Sequence, residues 1–219
     1  MSKGRAGVCV VIGLTAAVAM RCGAADGVWK SPSTGAWSDS SKWVDGVIAG
    51  GGGVATFQGA SGYYEITNDM GTVVLSEIRG NPDSTPESIA AEWRLVGGTF
   101  ELISPALLDT TAHGINLRRT TLTGSADIRI TGPGRTFLGD DNLFTGRTIV
   151  SNGNARVARD SGFGPVPGAY KSDAIILDNG GLQNDDGNYA LVIHANRGIT
   201  LSPRGGCLGA GYVGGSTQV

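Results

Sequence analysis

The chain has 219 residues, of which 37 are Gly, with only 6% aromatic and 16% charged residues. So much Gly without a collagen period implies many tight turns between short strands. A formal net charge of −2 excludes the broad basic field that attracts nucleic acid or anionic lipid.

Residues 1–25 have the plan of a secretory signal. Lys3 and Arg5 supply a positive start, Val8 to Met20 an apolar stretch, and Cys22-Gly23-Ala24-Ala25 the small residues suited to cleavage. The stretch is short for a membrane span and ends in Arg21. Cleavage at Ala24 or Ala25 predicts a mature chain beginning at Ala25 or Asp26, exported and not itself transmembrane. A lipoprotein signal is ruled out by Arg21 before Cys22, where a small residue is needed. Of the three cysteines only Cys207 then survives, with no partner for an internal disulfide. It is expected inside a coil as a small apolar side chain.

Residues 26–60 form a segment of different character. Trp29, Trp37 and Trp43 are interleaved with Ser, Gly, Asp and Lys, and Gly50 to Gly53 reads as a loop. Two roles suit the rings. They can cap the open hydrophobic end of a stacked fold, or offer a stacking platform to sugars.

From residue 61 to 219 the pattern is one of short strands. Tyr64-Glu65-Ile66 and Val73 to Ile78 are two, separated by Asn68-Asp69-Met70-Gly71. Residues 81–88, with Pro82 and Pro86, read as an extruded loop, and Ile89 to Trp93 as one helical turn. A unit of Gly followed by apolar-x-apolar then recurs, as in Gly98-Thr99-Phe100-Glu101-Leu102, Gly114-Ile115-Asn116-Leu117 and Gly198-Ile199-Thr200-Leu201. Its alternation predicts that Phe100, Leu102, Ile115, Leu117, Ile128, Ile130, Val150, Val157, Leu177, Leu182, Ile199 and Leu201 line one interior. The spacing is irregular, which parallel coils tolerate because insertions fall at corners. Asn152-Gly153 and Asn179-Gly180 are also hairpin signals, so a β-sandwich stands as the alternative fold.

The stretch from Arg135 to Ala169 is the most regular. Thr148, Val150, Ala155 and Val157 fall on one face, with Arg147, Arg156 and Arg159 between them and facing water. Runs this short cannot be stable hairpins in isolation; they make sense as rungs that cover one another. Leu138, Gly139, Asn142, Phe144-Thr145-Gly146, Thr148-Ile149-Val150, Gly153 and Ala155-Arg156-Val157 together resemble the autotransporter-associated β-strand repeat of bacterial surface proteins. Ala155 stands where that family usually has Leu, which predicts a coil that is narrower or less well packed than typical. The resemblance implies a right-handed parallel β-helix and an exported, passenger-type surface protein. The family's longer members often end in an anchoring membrane β-barrel.

Chemistry is sparsely signalled. Enzymes on parallel β-helices commonly act on polysaccharides through carboxylates on neighbouring coils, as acid and base or as calcium ligands. Asp140-Asp141 and Asp185-Asp186 are the candidate pairs, although Asp in turns is favoured for its local hydrogen bonds. His113 and His194 have no Cys or carboxylate at metal-ligand spacing, so no metal site is indicated. Ser161 is not within Gly-x-Ser-x-Gly, and the glycines near Cys207 lack the Lys-Ser/Thr of a phosphate loop. No cofactor is indicated. Two functions are expected from these residues: a non-catalytic exported scaffold for display or adhesion, facing a surface polysaccharide or a host cell, or a polysaccharide-active enzyme or carbohydrate-binding module on the same fold.

Overall fold

A computed structural model describes residues 23–30, 33–58, 62–80, 91–111, 114–185 and 190–209. Strands dominate, and the helical content among the described residues is confined to 3₁₀ turns at Ser40–Lys42, Val44–Gly46 and Asp160–Phe163. In chain order the strands are β1 (Gly27–Trp29), β2 (Gly35–Ala36), β3 (Gly53–Phe57), β4 (Gly62–Thr67), β5 (Thr72–Gly80), β6 (Ala91–Asp109) and β7 (Gly114–Thr123). They continue as β8 (Ile128–Thr131), β9 (Arg135–Leu138), β10 (Thr148–Ser151), β11 (Asn154–Val157), β12 (Lys171–Asp178), β13 (Gly180–Asn184), β14 (Arg197–Leu201) and β15 (Gly206–Gly209).

Every ladder between these strands is parallel, and successive strands belong to different sides of one winding chain. The first side stacks β1, β3, the end of β5, the end of β6, β8, β10, β12 and β14. The second stacks β2, β4, the start of β6, β7, β9, β11, β13 and β15. A third side carries strand at Thr72–Leu75, Thr99–Leu102 and Thr121–Thr123, and then continues as loops. The molecule is a parallel β-helix. The sandwich alternative fails because β10 does not pair with β11, nor β12 with β13. Asn152 and Asn179 adopt positive φ, 53° and 54°, and turn the chain round a corner rather than back on itself. Asn tolerates that left-handed conformation better than most residues.

Inward side chains form continuous files. On the first side the file is Ala55, Ile78, Leu108, Ile130, Val150, Leu177 and Leu201. On the second it is Tyr64, Trp93, Ile115, Thr136, Ala155, Leu182 and Leu208. Thr136 and Ala155 are small, and in the same coils Phe144 and Phe163 contribute aromatic rings to the core from the third side. Of the interior expected from the sequence, Phe100, Leu102, Ile115, Leu117, Ile128, Ile130, Val150, Val157, Leu177 and Leu182 are buried. Ile199 is half-buried and Leu201 is 56% exposed, because among the described residues no further rung covers β14. The helical turn expected to end at Trp93 is not formed there. Trp93 lies in β6 and points inward, its ring 4.7 Å from Tyr64 and 5.5 Å from Phe57. The extruded loop expected over 81–88 lies outside the described residues, as does the apolar stretch of the expected signal.

Segment 26–60 supplies the first rung itself, β1 on β3 and β2 on β4. Beyond β1 the chain folds back across the end, with Lys30 N–H donating to Lys42 O at 2.7 Å and an antiparallel bridge between Trp29 and Trp43. Ala25 bridges Gly50 in the same way, so the described fold is engaged from the expected cleavage point onward. No helix among the described residues is long and apolar enough to cross a membrane, which says nothing of β-barrels.

Candidate functional site

The motif residues are occupied by stacking. Asn142, 2% exposed, sits on the third side and touches three successive coils. Its Nδ2 donates to Gly139 O at 3.1 Å and Gly162 O at 2.9 Å, while Oδ1 accepts from Leu122 N at 2.9 Å. Phe144 fills the core, and Thr145 N–H donates to Gly124 O at 2.9 Å. At Gly146 a Cβ would lie 2.0 Å from Ala126 O, so the close approach of consecutive coils admits no side chain. Thr148, Val150 and Val157 are interior, and Gly153 O accepts from Gly181 N across the corner at 2.9 Å.

The tryptophans are likewise consumed by the core. Trp29, Trp37 and Trp43 are fully buried, with Trp43 edge-on to both others at 5.0 Å. Their indole N–H groups donate to Ser33 O, Ala49 O and Trp37 O. A sugar-stacking platform needs an exposed ring face, so that reading is withdrawn.

The carboxylates are not brought together as an acid–base pair. Asp140 lies 3.5 Å from Arg159, both side chains well exposed. Asp141 is exposed in a positive-φ turn. Asp185 is bound by Arg118, and Asp186 lies outside the described residues. Among the described residues no group of three or more His, Cys, Asp or Glu side chains converges. His194 Nδ1 accepts from Asn196 N–H at 3.0 Å, whereas His113 is outside the described residues. Cys207, expected inside a coil, is exposed with a free thiol. It sits at an outward position on β15, opposite Gly181.

The structure does assemble one distinctive surface, the outer side of β9, β11, β13 and β15 with the corner beside it. Along this side Arg135, Asn154, Gly181 and Cys207 form one outward file, and Asn116, Phe137, Arg156 and Gln183 the next. Phe137 is an outward residue yet only 5% exposed. The Arg118 guanidinium lies 4.2 Å from its ring centroid and that of Arg156 5.4 Å, within cation–π range. At the corner a shallow groove of about 470 Å³ is bounded by Pro133, Asn152, Asn154, Asn179, Gly181 and Cys207. Asn179 Nδ2 donates to Asn152 Oδ1 at 2.9 Å. The Asn154 Oδ1 is buried and accepts no hydrogen bond among the described residues. Gly181 leaves the floor open: a Cβ there would sit 2.9 Å from Asn154 Oδ1 and 3.0 Å from Cys207 Sγ.

Ion pairs between coils border the surface. Asp178 accepts from Ser202 and Arg204 on the next coil and from Ser151 on the preceding one. The Arg204 guanidinium and then the Ser202 hydroxyl hold its carboxyl well below the usual range. Arg147 binds Asp127 at 2.5 Å and Asp173 at 3.0 Å; hydrogen bonding to Asp127, then Asp173, raises the guanidinium and lowers Asp127. Neither the groove nor the Arg118–Phe137–Arg156 stack is signalled by a local motif, because their members meet only after coils of unequal length are wound. Comparison with protein-family profiles, curated proteins and solved structures finds no match to this chain.

Proposed function

We propose that the chain is an exported, non-catalytic β-helical scaffold of the passenger type, resembling the autotransporter-associated repeat proteins, and that it serves display or adhesion at a cell surface. The observation that carries this reading is Asn142. This buried polar residue of the repeat motif spends two of its three side-chain hydrogen bonds on joining the preceding and following coils and the third on its own turn, and the glycines and apolar residues around it join coils by close approach and burial. A motif of this kind specifies a stack and leaves the outer surface free to vary, as display and adhesion require.

A second reading, a polysaccharide-active enzyme or binding module, draws support from the amide-lined groove. Incubating the purified mature chain with acidic and neutral polysaccharides, while measuring reducing ends and unsaturated products, separates the enzyme from the scaffold, and titration with the same polysaccharides separates the binding module. The scaffold reading expects no product. Product formation that is lost in Asp140→Asn or Asp185→Asn overturns it. Export is tested by mass spectrometry of the N-terminus, expected at Ala25 or Asp26; an intact Met1 on a soluble cytoplasmic product removes that part of the proposal.

A further inference from the structure

We propose that the groove at the corner between the first and second sides binds a neutral oligosaccharide laid along the helix axis. The inference rests on the adhesion reading and names the ligand class for it.

Three observations carry it. The first is shape. The groove takes its lining from four successive coils: Pro133 before β9, Asn154 on β11, Gly181 on β13 and Cys207 on β15. At ~4.8 Å per rung, four coils span ~14 Å, the length of a short oligosaccharide. Gly181 keeps the floor open, since a side chain there would press on those of Asn154 and Cys207. The second is chemistry. No Asp, Glu, Lys or Arg lines the groove, so a charged ligand finds no counter-ion in it. Its polar side chains are amides, and an amide both donates and accepts, as a sugar hydroxyl does. Asn152 and Asn179 are exposed, and one bond joins them, from Asn179 Nδ2 to Asn152 Oδ1. Among the described residues the Asn152 Nδ2 donor and the Asn179 Oδ1 acceptor are left for a ligand. Asn154 Oδ1 is buried beside the floor and accepts nothing, so turning that amide toward a ligand hydroxyl gives up no hydrogen bond held by its oxygen. The third is that the main chain of the floor is already spent. Gly181 N–H donates to Gly153 O at 2.9 Å and Asn179 N–H to Gly205 O at 2.7 Å, and Gly180 pairs with Gly206 in the ladder. An extended peptide would find no open strand edge here, whereas hydroxyls need only the side-chain amides.

The test is isothermal titration of the mature chain with two neutral probes, maltohexaose and dextran oligomers, beside oligogalacturonate and tetra-alanine. At least one neutral probe is expected to bind, with an affinity that salt does not change, and the acidic oligomer and the peptide much more weakly. The exposed Cys207 thiol serves as a reporter inside the groove. Its alkylation by iodoacetamide, followed at its own peptide by mass spectrometry, is expected to slow when the neutral probe is bound. Asn152→Asp keeps the acceptor for Asn179 and tolerates the corner's positive φ, but removes the Nδ2 donor; it is expected to lower affinity about tenfold. Gly181→Leu fills the floor against side-chain atoms only, and is expected to abolish binding with little change in melting temperature. Arg129→Gln, on the exposed first side, is expected to bind as the parent does. Failure of both neutral probes to bind, equal binding of oligogalacturonate or tetra-alanine, or binding that neither protects Cys207 nor responds to Asn152→Asp overturns the proposal. None of these outcomes touches the non-catalytic reading, which falls instead if a bound neutral oligomer is cleaved, a result that would leave the groove assigned.

Discussion

At the scale of single residues, the fold depends on a few buried polar groups whose partners lie on other coils. Asn142 is the clearest. Replacing it with Ala removes two donors and one acceptor and leaves the buried Leu122 N–H without its partner. Each such bond contributes about 1 kcal/mol net, and an orphaned buried group costs about 1–3 kcal/mol. Asn142→Ala is therefore expected to destabilise by about 2–4 kcal/mol. Asn142→Asp should not rescue it, because a carboxylate would face the Gly139 and Gly162 carbonyls. Denaturant melts read both variants; an unchanged midpoint in Asn142→Ala would remove this residue from the account of stability. Arg197 plays a related part, its side chain 4% exposed and paired with Asp160 at 3.0 Å. It also donates to the carbonyls of Phe163 and Gly164, fastening the third-side loop to the next coil.

At the scale of elements, a rung is held to its neighbours by backbone ladders inside and by side-chain bridges at the corners. The Ser151–Asp178–Ser202–Arg204 group joins β10, β12 and the turn after β14, and its pH response has a definite sign. Asp178 is depressed in the folded state, as are Asp39, Asp69 and Asp127. Their contribution is present above the ordinary carboxylate pKa of about 3.9 and is lost as pH falls through the folded values. The melting temperature is expected to decline as pH drops from about 5 toward 2. Asp178→Asn should melt lower than the parent at pH 7 and converge with it in acid; curves that stay parallel throughout would show that Asp178 does not contribute. Such bridges were not legible in the sequence. Arg118 finds Asp185 and Arg147 finds Asp127 across one or more coils, and coil length varies with every insertion. The alternation of Thr148, Val150, Ala155 and Val157 was legible, because it is local and each inward residue is followed by an outward one. The Asn-Gly corners were half legible: the residue type announces a left-handed turn, but whether the chain then pairs or winds on is decided by the neighbouring coils.

At the scale of the whole molecule, the two ends of the described stack differ. One is closed by Trp29, Trp37 and Trp43, all fully buried, with the chain folded back across β1. At the other, Leu201 and Leu208 hold inward positions and remain 56% and 55% exposed, since among the described residues no further rung lies on β14 and β15. In a stacked fold each coil draws its stability from its neighbours, so local opening should begin at the coil that, among the described residues, is stacked on one side only. Hydrogen exchange is expected to be fastest in β14 and β15 and slowest in the ladders of β6 to β8, with the tryptophan end close to the centre. Trp43→Ala is the complementary case. Deleting a buried indole costs about 3–5 kcal/mol, but in a stack that loss belongs to the first coils. Residues 25–57 of the variant should exchange faster while β8 to β12 keep their protection. A uniform rise in exchange along the whole chain would mean that the helix opens as one cooperative unit and that its coils do not share stability by nearest-neighbour contact.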